Sequence, residues 1–286
     1  MKLMADSTCD LSQDVITAYE IDIIPLTVTI EGTDYKDRLD ITTDQYFEKL
    51  QAGSEAASTG APSPSLYVEF FEKAIRDGHS EILCICMSSG TSASYQSGEL
   101  GRTQFFEENP ESEVKIHVVD SKSMSHGSGW LVMKSSELAK EGHSFEDIVT
   151  FVESHKTKVK HFLSVDDLSH LIRSGRISGA SALIGKLLNI KPIMSMKQGK
   201  GAVVAKERGR NRVLKHYVDE FSKRNDSTNT TFLLIGYTTD RQVALDLQTK
   251  IQAETTFSGD IYIMQMGVAV ATHVGPGGLS MFFMEK

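Results

Sequence analysis

Short apolar runs alternate with amphipathic stretches through the first half of the chain. The apolar runs Leu3–Ala5, Ile21–Ile30, Ile82–Met87 and Val114–Val119 predict buried strands. Helical periodicity fills the intervals between them, around residues 12–20, 43–52, 64–77, 92–107 and 128–141. One helix start is marked by Ser63-Pro64, an N-cap hydroxyl followed by a proline at the first helical position. Strands that alternate with helices in this way form a largely parallel sheet flanked by helices.

The second half of the chain has a different pattern of predicted helices and strands. A helix near 144–158 ends the first half. Beyond it we expect short helices at 166–173 and 178–188, longer helices at Arg210–Lys223 and Asp240–Glu254, and strands near 190–196, 202–207, 231–237, 260–265 and 267–272. The sequence therefore predicts an α/β protein of two domains. A mostly parallel sheet is expected in residues 1–159 and a mixed sheet in residues 160–286.

Composition and cysteine usage are those of an ordinary soluble protein. No run approaches the roughly 18 apolar residues of a membrane span. The N-terminus turns polar at Asp6, too early for a signal peptide, so we expect a cytoplasmic protein. The odd count of Cys9, Cys84 and Cys86 indicates buried free thiols rather than disulfides or a metal site.

Positive charge is concentrated in one segment. Arg173–Lys215 contains eleven Lys and Arg against the single acid Glu207, in a chain whose formal net charge is −8. Clustered like charge raises the local potential and steers association, so this segment predicts a docking face for an acidic partner. A solvated basic surface without a partner is the alternative interpretation.

Hydroxyl-rich or acidic turns follow three of the predicted strands. They are Asp6–Thr8, Ser88–Ser92 and Asp120–Ser123. Ligands of open parallel sheets bind beyond the carboxyl ends of the strands, so these turns should converge on one crevice. Ser88–Ser92 precedes a helix, and its hydroxyl and N–H groups are suited to a carboxylate or phosphate. The alternative is that these serines only cap helices. Ser58–Gly60 supplies a second group of hydroxyls.

The turn Thr272–Gly278 follows the apolar run Val268–Ala271, which we expect to be a strand. Its glycines allow close approach of a ligand, and His273 is placed to donate to an anion. An adjoining carboxylate would hold this histidine cationic at neutral pH. A structural histidine is the alternative interpretation.

Motifs of several enzyme classes are missing from the sequence. There is no Gly-x-Ser-x-Gly elbow, no His-Glu-x-x-His and no metal-binding spacing of histidines and cysteines. No Gly-x-Gly-x-x-Gly follows the first strand. We therefore expect no catalytic residues, no metal and no cofactor, and a pocket of hydroxyls with one histidine.

The turn and strand motifs of this chain resemble those of the DegV family, in both order and spacing. The matching segments are 6–11, 59–63, 88–97, 118–121, 165–168, 171–178, 190–193 and 272–278. The resemblance covers essentially the whole chain. It implies two α/β domains and a long-chain fatty acid as the bound ligand.

The family resemblance also implies a role. DegV proteins, which this chain resembles, are fatty-acid carriers. Members of the family serve as the carrier subunit of bacterial fatty acid kinase. A separate kinase subunit binds ATP and phosphorylates the carboxylate, which gives an acyl phosphate for phospholipid synthesis. The expected partners are thus a fatty acid, a kinase subunit and, transiently, a membrane surface.

Carried over by motif, Thr59 and Ser92 are expected to be the principal carboxylate contacts, with Ser88, Ser89 and His273 nearby. Two local departures accompany them. The family usually has Thr-Ser-Gln-Pro-Ser at 59–63 and Leu-Ser-Gly-Thr-Tyr at 91–95, whereas this chain has Thr-Gly-Ala-Pro-Ser and Thr-Ser-Ala-Ser-Tyr. The loss of a neighbouring hydroxyl and amide is expected to alter the support of these contacts or the choice of ligand.

The basic segment then becomes a candidate surface for the kinase subunit or for anionic lipid headgroups, with Arg173, Arg176 and Arg208 as its test positions. An alternative from another class is a small-molecule transferase or hydrolase in the same crevice, with His273 as acid or base. A nucleic-acid-binding module is disfavoured by the pI of about 5.6 and by the lack of a recognised motif.

Overall fold

The computed structural model describes residues 1–178 and 190–286. The strands are β1 (Lys2–Asp6), β2 (Asp22–Ile24), β3 (Thr27–Ile30), β4 (Thr33–Lys36), β5 (Ser58–Gly60), β6 (Glu81–Cys86), β7 (Lys115–Asp120), β8 (Val159–Ser164), β9 (Ile177–Ser178), β10 (Ile190–Lys197), β11 (Lys200–Arg208), β12 (Phe232–Tyr237), β13 (Asp260–Gln265) and β14 (Leu279–Met284). The α-helices are α1 (Gln13–Ala18), α2 (Thr43–Gln51), α3 (Pro64–Arg76), α4 (Ser94–Glu108), α5 (His126–Lys140), α6 (Phe145–His155), α7 (Ser169–Ser174), α8 (Arg210–Arg224), α9 (Arg241–Glu254) and α10 (Val268–Val274). A 3₁₀ turn, Ser7–Cys9, follows β1.

The first sheet is parallel throughout, in the order β2-β1-β6-β7. Its strands are apolar on both faces, as expected for a sheet covered on both sides. Met4 and Cys84 pack with α3 and α4, whereas Leu3 and Leu83 pack with α5. The predicted parallel sheet flanked by helices is confirmed.

The second sheet is mixed and has the order β13-β12-β14-β8-β10-β11-β9. Its pairings are antiparallel except for β12 with β13 and β11 with β9. Helices α8 and α9 cover one face, and the N-terminal half of α5 lies against the other. The predicted mixed sheet is confirmed. The domain boundary at 159/160 stays a prediction.

Helix α5 lies between the two sheets. Every residue from His126 to Ser136 is buried, which is the pattern of a helix enclosed on all sides. Trp130 packs on Phe232 and donates its indole N–H to the Phe232 carbonyl at 3.3 Å. A single apolar cluster therefore joins strands from both halves of the chain.

Three details of the predicted elements were wrong or incomplete. The run Ile21–Ile30 is divided at Pro25, which has no N–H for a ladder. Its first part, β2, joins the parallel sheet, and its second part, β3, joins a small antiparallel sheet of order β4-β3-β5. The strands β8 and β14, which pair with each other in the middle of the mixed sheet, were not predicted at all, and neither were the short strands β4, β5 and β9.

The third correction concerns residues 267–272, where α10 takes the place of the expected strand. Two buried carboxylates explain the helix, because Asp10 accepts a hydrogen bond from the Gly267 N–H at 2.8 Å and Asp37 accepts one from the Ala269 N–H at 3.1 Å. They satisfy N–H groups that the first turn of a helix leaves without a partner. The helix expected at 178–188 lies outside the described residues except for Ser178, which ends β9.

Candidate functional site

A cavity of about 200 Å³ lies where the turns after β1 and β6 meet α10 and one face of the mixed sheet. The predicted convergence of strand-end turns on one crevice is thus confirmed for Thr8 and for Thr91 and Ser92. Most of the lining is apolar. It includes five methionines, Met87, Met124, Met194, Met196 and Met266. Methionine is unbranched and flexible, so such a lining suits an elongated apolar ligand.

Thr59 and His273 form a polar pair in the wall of this cavity. Thr59 lies on β5, which pairs with β3, and His273 lies in the last turn of α10. The Oγ1 atom of Thr59 is 2.9 Å from Nε2 of His273, although 214 positions separate them in the chain. Both side chains line the cavity, so their polar atoms are available to a ligand there.

Ser92 is a further polar residue of the cavity lining. Its hydroxyl accepts a hydrogen bond from the Ser94 N–H at 3.1 Å and lies 3.1 Å from the Ser94 hydroxyl. The structure therefore brings Thr59, Ser92 and His273 into one lining, as the sequence predicted. Whether they hold a carboxylate stays a prediction.

His273 is neutral at physiological pH in this environment. Burial lowers its pKa to about 4, and the positive charges of Arg176, Arg173 and His170 act in the same direction. The neighbours that shift the pKa are thus cationic, not the carboxylate considered from the sequence. An incoming anion would be the group that favours the imidazolium form.

The hydroxyls of Ser88 and Ser89 bond to other protein groups and do not line the cavity. The buried Ser88 hydroxyl donates to the Gly199 carbonyl at 2.7 Å, which joins its turn to the hairpin between β10 and β11. The Ser89 N–H donates to Asp120 at 3.0 Å, and its hydroxyl donates to the same carboxylate. A carboxylate contact from either hydroxyl would require these bonds to break.

The three predicted docking arginines do not lie on one exposed face. Arg173 and Arg208 are exposed, whereas Arg176 is only partly exposed and lines the cavity. The Arg176 guanidinium donates to the Ser174 carbonyl, between α7 and β9. Sequence reasoning missed its place in the cavity, because the surrounding run of basic residues indicated a surface.

Other polar residues of the lining, among them His161 and Ser280, were also missed. Ser280 interrupts the otherwise apolar strand Leu279–Met284, whereas His161 lies on Val159–Ser164, which also contains Lys160 and Ser164. A lone polar residue within a buried strand is the sequence signal that would have found Ser280.

The buried side chain of Asp10 lies beside the cavity. Asp10 accepts from the Ser125 hydroxyl at 2.5 Å and lies 3.9 Å from the Arg38 guanidinium. Ser125, which lines the cavity, has a φ of 53°, a conformation that L-residues rarely adopt. The hydrogen bond to Asp10 helps to hold it there.

Comparison with known proteins identifies the family of this chain. The model of the DegV family, described as uncharacterised proteins, matches residues 1–286. The chain belongs to the DegV family. It is 33% identical over 285 residues to the DegV domain-containing protein CPE0026 of Clostridium perfringens, which covers 99% of this chain and 96% of that protein.

Solved structures of DegV proteins share the fold along the whole chain. A DegV family protein from Thermus thermophilus, described for its fatty acid binding, is 28% identical with a TM-score of 0.89, covering 100% of this chain and 99% of that one. A DegV family protein from Ruminococcus gnavus, with vaccenic acid, is 26% identical with a TM-score of 0.85, covering 98% of both chains. Fatty acids are therefore ligands of DegV relatives.

Two structural features are absent from residues 1–178 and 190–286. No three or more His, Cys, Asp and Glu side chains are grouped so that they could hold a metal ion. No helix in these ranges is long and apolar enough to cross a membrane. The three cysteines are buried and free, as predicted.

Proposed function

We propose that this DegV protein binds a long-chain fatty acid, with the carboxylate at Thr59, Ser92 and His273 and the acyl chain in the methionine-lined cavity. The observation that carries the proposal is the Thr59–His273 pair, 2.9 Å apart, in the wall of an otherwise largely apolar cavity. The fatty acids bound by DegV relatives support it.

The energetics of such a ligand fit this arrangement. Burial of an acyl chain contributes roughly 0.8 kcal/mol per methylene. A buried carboxylate loses its water, so hydrogen bonds and charge must replace that solvation. Hydroxyls of Thr59 and Ser92 supply donors, and Arg176 in the same lining supplies a positive charge.

The role that we propose is that of a carrier without catalysis of its own. A separate kinase subunit would supply ATP and phosphorylate the presented carboxylate, giving an acyl phosphate for phospholipid synthesis. We place both proteins in the cytoplasm, where ATP is available. The exposed part of Arg173–Lys215 would meet the kinase subunit or, transiently, anionic lipid headgroups.

The alternative of a transferase or hydrolase is less well supported. It would use His273 as general acid or base, and a pKa of about 4 leaves this residue almost unprotonated and weakly basic at neutral pH. Neither the cavity wall nor the motifs of the sequence favour a specific reaction of this kind.

Extraction of the purified protein tests the central proposal. The folded protein should release long-chain fatty acid in about equal molar amount on denaturation, identified by mass spectrometry. Delipidated protein should bind added oleate or stearate and be stabilised by it against thermal unfolding. Folded protein that neither contains nor binds a fatty acid would exclude the carrier function.

A further inference from the structure

The hairpin formed by β10 and β11 projects past the rest of the mixed sheet. Within residues 1–178 and 190–286, β8 pairs with β10 only at Ile193 and Met194, and β9 pairs with β11 only at Gly201 and Ala202. In these ranges the hairpin tip, residues 195–200, therefore has ladder partners only within the hairpin itself. A bulge in β10 lies where the strand leaves β8, and bulges bend a strand. The tip can thus move without breaking a ladder to β8.

The hairpin separates two cavities. A second cavity, of about 340 Å³, lies in the gap between β8 and the projecting part of β10. Ser195 and Met196 line both this cavity and the methionine-lined one, and Gln198 and Gly199 of the tip line the second. The second cavity reaches the protein surface, because its lining includes the exposed residues Thr157 and Gln198. The position of the hairpin therefore decides whether the two cavities are connected.

A hydrogen bond from Ser88 fastens the hairpin tip to the turn after β6. The hydroxyl of this fully buried serine donates to the Gly199 carbonyl at 2.7 Å. The same hydroxyl accepts a hydrogen bond from the Gly90 N–H at 3.2 Å. A hydroxyl has one proton, and with Gly90 as donor that proton is directed to the Gly199 carbonyl. The turn thus presents a preset donor to the tip.

Glycines on both sides allow this close contact. A Cβ atom at Gly90 would overlap the Gly199 carbonyl oxygen, and one at Gly199 would overlap the Ser88 hydroxyl. Gly199 also has a φ of 76°, a conformation that glycine adopts without strain. The turn and the tip therefore fit each other without a side chain between their backbones.

We propose that Ser88 is a positioning residue that holds the hairpin tip closed beside the fatty-acid ligand, and that undocking of this tip admits and releases the ligand. In the docked state, Met194 and Met196 of the hairpin complete the wall of the methionine-lined cavity. In the undocked state, the hairpin pivots at the bulge and the two cavities become continuous. This inference rests on the proposed function, because it concerns the exchange of the same ligand.

Ser88→Ala removes the donor that fastens the tip. Binding and release of cis-parinaric acid, a fluorescent fatty acid, are followed by stopped flow on delipidated full-length protein. We expect both rate constants to rise about fivefold to tenfold, the effect of one net hydrogen bond, while Kd changes less than about threefold. Both rates rise because the same opening step precedes entry and release. A variant that merely damaged the site would instead raise the release rate and Kd together.

Ser135→Ala is the matched control. Ser135 is also a fully buried serine, and its hydroxyl donates to a backbone carbonyl, that of Leu131, at 2.8 Å. It lies on α5 and is not part of the described lining of either cavity. Its removal should leave both rate constants unchanged. Melting temperatures verify that each variant is folded.

A reversible lock tests the movement itself. A Cβ atom at Gly199 would lie 4.0 Å from Cβ of Ser88, which is within the span of a disulfide. The double variant Ser88→Cys with Gly199→Cys should exchange fatty acid at least about tenfold more slowly when oxidised than when reduced. Mass spectrometry verifies the bridge. The wild type, whose three cysteines are buried and free, is taken through the same oxidation as the control.

The outcomes separate this inference from the proposed function. Wild-type rates in Ser88→Ala, or a faster release matched by an equal rise in Kd, would overturn the role of Ser88. Equal exchange rates in the oxidised and reduced double variant would overturn undocking as the exchange step. Either result leaves the fatty-acid carrier intact. Failure of the wild type to bind any fatty acid would overturn the proposed function, and this inference with it.

Discussion

At the scale of single residues, the polar groups of the cavity lining come from distant parts of the chain. Thr59 stands on a short edge strand, Ser92 in a turn before α4 and His273 in a seven-residue helix. Thr59 and His273 bond to each other. A carboxylate would replace one weak polar contact by charge-assisted hydrogen bonds, which are stronger.

Removal of the Thr59 hydroxyl tests this assignment. Thr59→Val keeps the shape of the side chain, and we expect fatty-acid affinity to fall about tenfold to a hundredfold, since hydrogen bonds to a charged group contribute about 1.5–3 kcal/mol. Ser92→Ala should act in the same direction. A fluorescent fatty acid titrated into each variant measures the change.

Thr29→Val is the matched control, because Thr29 lies on the neighbouring strand β3 and donates to Asp34 at 2.6 Å, outside the cavity lining. Its affinity should equal that of the wild type. Unchanged affinity in both Thr59→Val and Ser92→Ala would place the carboxylate elsewhere.

Asp10 gives a residue-level prediction about pH. Burial raises its pKa to about 8, against the lowering effects of Arg38 and of its hydrogen bonds from Ser125 and Gly267. The folded state therefore keeps a proton that the unfolded state releases above about pH 4. The free energy of unfolding consequently decreases as the pH rises from about 4 to about 8.

Asn at position 10 resembles the protonated carboxyl group and does not titrate. The wild type should thus lose stability relative to Asp10→Asn between pH 4 and pH 8, with no further loss above that. Urea unfolding of both proteins at several pH values provides the measurement. A stability difference that is the same at pH 5 and pH 8 would show that Asp10 does not titrate in this interval.

At the scale of elements, α10 is the part whose existence depends most on its surroundings. Seven residues are too few for an isolated helix to be stable in water. Asp10 and Asp37 bind its first N–H groups, and Asp37 itself accepts from the Ser7 hydroxyl at 2.7 Å. These carboxylates position the helix and, at its other end, His273.

Asp37→Ala should therefore affect both stability and binding. Loss of the acceptor leaves buried donors of Ser7 and Ala269 without a partner, which lowers the free energy of unfolding by about 1–3 kcal/mol. Fatty-acid affinity, measured well below the melting temperature, should also fall because His273 is displaced. Asp37→Asn keeps an acceptor for the Ala269 N–H and should restore most of both. An alanine variant that binds like the wild type would show that Asp37 does not position His273.

At the scale of the whole molecule, the basic segment divides into an exposed part and a part that lines the cavity. Arg173 and Arg208 are exposed, but Arg176 lines the cavity. A triple charge reversal would therefore mix two effects, docking and ligand binding. The docking surface has to be tested without Arg176.

The double variant Arg173→Glu with Arg208→Glu should keep the fatty-acid affinity of the wild type. Transfer of fatty acid from anionic vesicles, and acyl phosphate formation by a matched kinase subunit, should become slower, most clearly at low ionic strength. Arg76→Glu, an exposed arginine on α3 outside the segment, is the control. Unchanged transfer rates at low salt would exclude this face as the docking surface.

The sequence by itself determined the parallel sheet, four strands of the mixed sheet (β10, β11, β12 and β13) and most helices, because apolar periodicity and local caps depend on residues that are near one another in the chain. Ser63 shows this at the start of α3, where its hydroxyl accepts from the Leu66 N–H at 3.2 Å as predicted. The family motifs likewise pointed to Thr59, Ser92 and His273, and all three line one cavity.

Only the tertiary structure decided the elements and roles that depend on distant groups. The short run Val268–Ala271 fits a strand or a helix equally well, and carboxylates more than 200 positions away make it a helix. Arg176 belongs to a run of basic residues, yet in the folded protein it is part of the cavity lining. His161 and Ser280 become neighbours only when β8 pairs with β14, because a sheet ladder joins residues that the chain keeps far apart.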